Sequence, residues 1–255
     1  MSVGIVIMGL LVGVLVGLTG VGGAALLTPF LILIGINPVV AVGTDLVYNS
    51  ITKLFGSIQH IRQKTVNLTL VKYLAVGSIP SAVLAIILLQ QFGDSSYFQD
   101  EIVKHALGYV LIIVAVTTII RTLYSHKFKD NAYMLKPIKE KMVTTILLGA
   151  ILGFIVGLTS IGSGSLFALA MLFMYKLRAS ELVGTDIAHA FLLVTVSGFF
   201  YMGLGNVNFH LVANLLCGSI PGVLIGSTLS AKVPVKPLRT IISIVILISG
   251  IKLIY

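Results

Sequence analysis

The sequence at positions 17–23 reads Gly-Leu-Thr-Gly-Val-Gly-Gly, and positions 157–163 repeat the pattern as Gly-Leu-Thr-Ser-Ile-Gly-Ser, 140 residues later. Three further pairs recur at an offset of 141: Val-Gly-Thr-Asp from 42 and 183, Val-Asn from 66 and 207, and Gly-Ser-Ile-Pro from 77 and 218. A single inserted residue explains the change of offset from 140 to 141, so the chain contains two copies of one unit.

Both glycine-rich copies lie inside long apolar segments. A duplicated membrane unit that is broken by glycine at the matching place in each copy indicates a transporter with its site between two repeats. The alternative is that these small residues only let helices pack closely. Close packing alone does not require a Thr and an Asp to recur in register.

The composition is that of an integral membrane protein. Of 255 residues, 57% are hydrophobic and 10% charged, with a mean hydropathy of +1.10. The N-terminus has no charged region followed by a small-residue cleavage site, so we expect it to be part of the structure. The single Cys217 excludes a disulfide framework and a thiolate metal cluster, and no metal or cofactor is expected.

Eight apolar segments are predicted to be membrane segments. They run over 3–36, 38–59, 69–91, 102–123, 142–175, 179–203, 209–231 and 237–255. The segments 3–36 and 142–175 are too long for one helix across a ~30 Å hydrocarbon core. Each carries its glycine-rich stretch near the middle, so we predict two helical hairpins.

The basic residues favour these hairpins. The net charge is +9, and the Lys and Arg residues lie mostly in connections, which is typical of membrane topology and not of a nucleic-acid partner. With both hairpins, 15 of the 17 basic residues lie on one side, against a split of 11 to 6 with single crossings. The positive-inside rule makes that side cytoplasmic and both termini external.

The prediction is an all-α integral membrane protein of two inverted repeats, each a broken-helix hairpin plus three transmembrane helices. The first repeat spans 1–123 and the second 142–255, with a cytoplasmic linker at 124–141.

The hairpin turns are the first candidate site. Broken backbone at membrane depth survives only where it is buried in protein or lines a wet cavity. The helix that restarts after the turn presents free N–H groups and a partial positive charge, which suit an anion. A plain structural turn is the alternative. The candidate substrate-binding residues here are Thr19, Gly20, Gly22, Gly23, Thr159, Gly162, Ser163, Gly164 and Ser165.

The helix after each hairpin is the second candidate. Asp45, Asn49 and Lys53 recur every four residues on one helix face, and Asp186 and His189 stand one turn apart in the second repeat. Ionisable residues inside a membrane indicate function. We predict proton coupling by the two acids and substrate contact by Asn49, Lys53 and His189. The acids could instead accept N–H bonds at nearby helix ends, and Lys53 could snorkel to the cytoplasmic surface.

The first glycine-rich turn, Thr28-Pro29 and the Val-Gly-Thr-Asp segment resemble the sulfite exporter TauE/SafE family, and the segment 218–226 extends the resemblance over essentially the whole chain. The resemblance implies a membrane transporter of small sulfur-containing anions, such as sulfite or organosulfonates, driven by a proton or ion gradient in a prokaryotic plasma (inner) membrane. It adds Thr44 and Thr185 to the substrate-binding residues.

The function expected is export of a small anionic substrate by alternating access. Two acids beside an anion site would repel the substrate unless they are protonated or paired. Two alternatives stay open. One is an anion channel or a passive subunit of a complex. The other is an intramembrane serine hydrolase built from Ser163 or Ser165 with His189, which leaves the symmetry unexplained, since the first repeat has Gly23, Ala25 and Tyr48 there. An enzyme is not expected, and the oligomeric state is not predicted.

Overall fold

The structure, a computed structural model, describes residues 3–19, 23–91, 96–124, 132–230 and 235–255, which form helices joined by short turns. The helices are α1 (Val3–Thr19), α2 (Ala24–Leu33), α3 (Pro38–Arg62), α4 (Leu68–Gln91), α5 (Ser96–Tyr124), α6 (Met142–Thr159), α7 (Leu166–Met174), α8 (Ala179–Gly203), α9 (Phe209–Ser230) and α10 (Val235–Ile254). Two short 3-10 helices, Ala132–Leu135 and Ile138–Lys141, precede α6.

The predicted breaks in the two long apolar segments are confirmed. The first segment divides into α1 and α2, and the second into α6 and α7. The second break contains Ser160 at a φ of +61° and Gly162 at +102°, which are left-handed conformations that interrupt a helix. After the first hairpin, Asn37 begins α3: its side chain accepts bonds from the N–H groups of Val39 and Val40, and proline follows it.

The predicted class of membrane protein is confirmed as well. Among the described residues, five helical stretches are long and apolar enough to cross a membrane: 68–91, 98–120, 138–159, 179–203 and 209–226. Helix α3 is as long as α8, at 25 residues, but Asp45, Asn49 and Lys53 interrupt its apolar character.

Glycine seams join the two halves of the chain. Gly13 of α1 lies against Ser219 of α9, and Gly153 of α6 lies against Ser78 of α4. A Cβ atom on either glycine would come within 2.5 Å and 2.3 Å, respectively, of the facing serine carbonyl oxygen. Contacts this close exclude any side chain. Gly13 corresponds to Gly153 at the offset of 140, and Ser78 corresponds to Ser219 at the offset of 141. The two halves therefore pack through equivalent helices.

The order of the contacts gives the helix directions. Gly9 faces Leu215 four residues before Gly13 faces Ser219, so α1 and α9 run parallel. Helix α3 also runs with α9, because the Thr44 hydroxyl bonds near the start of α9 and Tyr48 lies beside Ser219 further along. Since α1 and α3 run the same way, α2 brings the chain back between them, which is the predicted hairpin.

Helices α3 and α8, which hold equivalent places in the two halves, run antiparallel. Gly56, late in α3, packs against Ile187 early in α8, whereas Gly198 packs against Val47. The tip of the second hairpin bonds to α3, and Gly23 at the start of α2 lies against the same helix.

Candidate functional site

The buried acid of α3 is held by groups from two elements. Asp45 is fully buried, and one Oδ accepts a bond from the Asn49 amide at 2.9 Å. The four-residue spacing places the amide one turn along the same face. The other Oδ accepts a bond from the Ser160 hydroxyl at the tip of the second hairpin. Asp45 therefore ties the first half of the chain to the break in the second.

Lys53 makes the next contact along the same face. Its Nζ donates to the backbone oxygen of Ser163 at 3.0 Å and to the Ser163 hydroxyl at 2.9 Å. It also interacts electrostatically with Asp186 and, more weakly, with Asp45. Of the two alternatives for Lys53, the structure adopts the one in which the ammonium faces the hairpin tip. Contact of Lys53 with substrate stays a prediction.

The shape of the second tip follows from its own sequence. The Thr159 hydroxyl donates to Ile155 O at 2.7 Å and accepts from the N–H of Ile161 at 3.2 Å, which closes the end of α6. Gly162 accepts the N–H of Leu166 at 3.2 Å and so begins α7. At a φ of +102° only glycine fits Gly162 well, and a Cβ there would also meet the Leu166 side chain at 2.9 Å. Gly164 and Ser165 complete this turn.

Helix α8 presents a different set of groups. Asp186 and His189 are buried there. His189 Nε2 lies 2.8 Å from the Ser78 hydroxyl, and the His189 ring stacks at a tilt on Phe167, with centroids 4.4 Å apart. At the equivalent place on α3, Tyr48 lies beside Ser219, the counterpart of Ser78. The positions of Asn49 and Lys53 are taken on α8 by alanine and valine.

The threonine of each Val-Gly-Thr-Asp segment forms a hydrogen bond to the other half of the chain. The hydroxyl of Thr44 accepts the backbone N–H of Asn208 at 3.1 Å, and that of Thr185 accepts the backbone N–H of Asn67 at 3.0 Å. Both threonines are fully buried. These hydroxyls are thus engaged by the opposite half, and their contact with substrate stays a prediction. In each segment the residue after the threonine is the aspartate, which lies towards the candidate site.

The first hairpin reaches the same helix. A Cβ on Gly23 would lie 3.9 Å from both the Asn49 side chain and the Tyr48 ring. Gly20, Gly22 and the Thr19 side chain lie outside the described residues. The structure thus brings together Gly23, Asp45, Asn49, Lys53 and Ser163 around α3.

Sequence reasoning missed three contributors to this site. Ser160 lies within the repeated glycine-rich stretch, where nothing marks it as the partner of Asp45, and Ser78 appeared only within a repeated Gly-Ser-Ile-Pro segment. Tyr48 appeared only as the residue that takes the place of His189 in the first repeat. The offset of 141 pairs Tyr48 with His189 and Ser78 with Ser219, so the repeat itself carried the signal for these contacts.

Comparison with known proteins supplies the family. The model of the sulfite exporter TauE/SafE family matches residues 5–253. The chain belongs to this family. It is 61% identical over 254 residues to the probable membrane transporter protein YjnA of Bacillus subtilis, with full coverage of both chains. It is 25% identical to the probable membrane transporter protein YunE of Bacillus subtilis (98% of this chain and 96% of YunE).

A third relative comes from another organism. The probable membrane transporter protein MJ0441 of Methanocaldococcus jannaschii is 26% identical, over 97% of this chain and 93% of its own. No solved structure matches the chain. Family and composition together identify this TauE/SafE member as a multi-pass membrane transporter.

Proposed function

We propose that this protein is a secondary transporter that exports small sulfur-containing anions, such as sulfite or organosulfonates, by alternating access. The observation that carries the proposal is the Lys53 ammonium, which lies on the broken backbone of the second hairpin where the two halves meet. A half-buried cation at a helix break between repeats is an arrangement that suits an anion carrier.

The donors around Lys53 suit an oxyanion. Sulfite and sulfonates present several oxygens on one sulfur atom, and these accept charge-assisted bonds from an ammonium together with bonds from hydroxyl and amide groups. Lys53, Asn49 and the tip serines Ser160 and Ser163 offer such groups close together. The family description names sulfite export, which agrees with this chemistry.

The two acids are the candidates for proton coupling. Asp45 and Asp186 both interact with Lys53, so the repulsion between an anion and these carboxylates is moderated by the ammonium. With both acids ionised, the three groups carry one net negative charge. An anion that displaced Lys53 from this group would leave the acids short of positive charge, and taking up a proton restores the balance. This argument supports a coupling between anion binding and proton uptake.

We also propose the membrane arrangement as inverted repeats, 1–123 and 142–255, with the linker 124–141 in the cytoplasm and both termini outside the plasma membrane. The antiparallel packing of the equivalent helices α3 and α8 supports the inversion. The asymmetric placement of the basic residues supports the orientation.

The test is flux of labelled sulfite in proteoliposomes, with and without an imposed pH gradient, competed by sulfate and a set of organosulfonates. We expect saturable flux that responds to the gradient and falls on Asp45→Asn. Linear flux that ignores the gradient would indicate a channel. Folded protein that moves none of these sulfur anions would remove the substrate assignment.

A further inference from the structure

The bond from Lys53 to the second hairpin tip goes to a carbonyl oxygen. An anion site at a broken helix offers N–H groups, whereas a cation site there offers unwound backbone carbonyls. At Ser163 the group that faces the lysine is the backbone oxygen, together with the side-chain hydroxyl of the same residue. Oxygen pairs of this kind bind hard cations such as sodium.

The surroundings carry the charge that a cation site requires. Asp45 is fully buried, Asp186 is 6% exposed, and both interact with the ammonium. The Ser163 hydroxyl lies 3.5 Å from the backbone oxygen of Ser160, whose own hydroxyl binds Asp45. A chain of oxygen atoms thus leads from the ammonium to the carboxylate.

We propose that the second hairpin tip and Asp45 form a monovalent cation site that the protein fills with the ammonium of its own Lys53. The tethered ammonium takes the place of a sodium ion, so the wild-type protein needs no sodium at this position. Shortening the side chain vacates the site and opens it to sodium from solution.

The repeat offers an internal comparison. The counterpart of Ser163 is Gly23, without a hydroxyl, and the counterpart of Lys53 is Val194, a buried apolar residue. At these two described positions the first hairpin therefore lacks the hydroxyl ligand and the tethered cation. We assign the cation site to the second hairpin.

The experiment compares thermal unfolding of purified protein in NaCl and in choline chloride at equal ionic strength. Lys53→Ala removes the ammonium and makes room, whereas Lys53→Met removes the charge but keeps the volume. We expect the Tm of Lys53→Ala to rise in NaCl by about 2–4 °C or more relative to choline. The wild type and Lys53→Met should show equal Tm values in the two salts.

Two further variants sharpen the result. Lys53→Ser adds an oxygen ligand and should respond to sodium like Lys53→Ala. Asp45→Asn combined with Lys53→Ala removes the charge that sodium balances and should lose the response. Equal Tm values for Lys53→Ala in both salts would overturn the proposal, as would a sodium response of the wild type. If the small variants fold only in NaCl the site is supported, and if they fold in neither salt it is refuted.

The consequence for transport rests on the proposed function, but occupancy of the site does not. Wild-type flux should ignore a sodium gradient, and residual flux of Lys53→Ala should depend on one. The unfolding measurement contains no substrate. A failure of the sulfite assignment therefore leaves the sodium result standing, and a missing sodium response leaves the flux result standing.

Discussion

Asp45 and Asp186 hold equivalent places in the two halves of the molecule, yet their neighbourhoods differ. The face of α3 continues from Asp45 to Asn49 and Lys53, which bond along the helix and across to the second hairpin. The same face of α8 continues from Asp186 to alanine and Val194. Two helices that duplicate each other in the scaffold thus differ in the charge that they bring to the site.

The hairpin tips differ in the same sense. The second tip supplies hydroxyls at Ser160 and Ser163, and α3 binds both. The first tip has Gly23 at the place of Ser163. By contrast, the glycine seams and the Thr44 and Thr185 clasps occur in both halves with matched partners. The two halves thus share the packing glycines, the threonines and the aspartates, whereas Asn49, Lys53 and Ser163 occur in one half only. The scaffold keeps the symmetry of the repeat, and the polar groups around Lys53 depart from it.

The largest effect is expected where the symmetry is a packing requirement. Gly13→Leu and Gly153→Leu should each destabilise the protein by about 4 kcal/mol or more, because the added side chain must push two helix backbones apart. The two losses should be similar, since the seams are equivalent. The measurement is the yield and Tm of monodisperse protein in detergent.

Gly4→Leu is the matched control for these seam variants. A Cβ on Gly4 meets no atom within 4 Å, so this variant should fold normally. A large loss of stability for Gly153→Leu with none for Gly13→Leu would show that the two glycine contacts are not energetically equivalent.

The second prediction breaks the symmetry at the site. Lys53→Met should lower sulfite flux per folded transporter by about 100-fold, the scale expected when a preorganised charge is removed. Val194→Ala changes the counterpart on α8. It should cost about 2 kcal/mol of stability through the cavity it leaves, while flux per folded protein stays within a factor of about two. Equal flux losses for the two variants would contradict the asymmetry.

The third prediction asks whether Thr44 and Thr185 only join the two halves or also contact the substrate. Thr44→Val and Thr185→Val keep the shape but leave the N–H groups of Asn208 and Asn67 without their acceptors. Each should cost about 1–3 kcal/mol of stability. If the threonines act only as clasps, the KM for sulfite should change less than about threefold. A large rise in KM at unchanged Tm would instead establish the substrate contact that the family resemblance implies.

Much of the fold could be predicted from the sequence because its signals are periodic and repeated. The segment lengths and the glycine-rich breaks fixed the hairpins, and helix α8 runs over the predicted residues 179–203. The repeat offset identified equivalent positions, so the glycine packing contacts and the threonine bonds of one half indicate their counterparts in the other. Membrane segments are favourable cases, since apolar length alone reports a helix.

The contacts between distant segments could not be predicted in this way. Lys53 and Ser163 are 110 residues apart, and Asp45 and Ser160 are 115 apart. A helix face shows that Lys53 points inward or snorkels, and only packing decides between them. The hydrogen bonds of Thr44 and Thr185 could not be predicted for the same reason, because the partner of each hydroxyl is a backbone N–H of the other half.

The smallest effect is expected at the first tip, where Gly23→Ser gives it the residue that the second tip has. Gly23 has a φ of −57°, which any residue adopts, and its Cβ would meet neighbours only at 3.5 Å or more. Serine is also a favoured residue before a helix. Stability should therefore change by no more than about 0.5 kcal/mol, with flux nearly unchanged.

Gly162→Ser provides the contrast for Gly23→Ser, because its left-handed φ of +102° strains any side chain and should lower both Tm and flux. Paired measurements of Tm and sulfite flux decide between the two tips. If Gly23→Ser abolished flux in a folded protein, the first tip would need bare backbone at this position. Both hairpins would then contact the substrate, and the asymmetry argued from Lys53 and Ser163 would apply to charge alone.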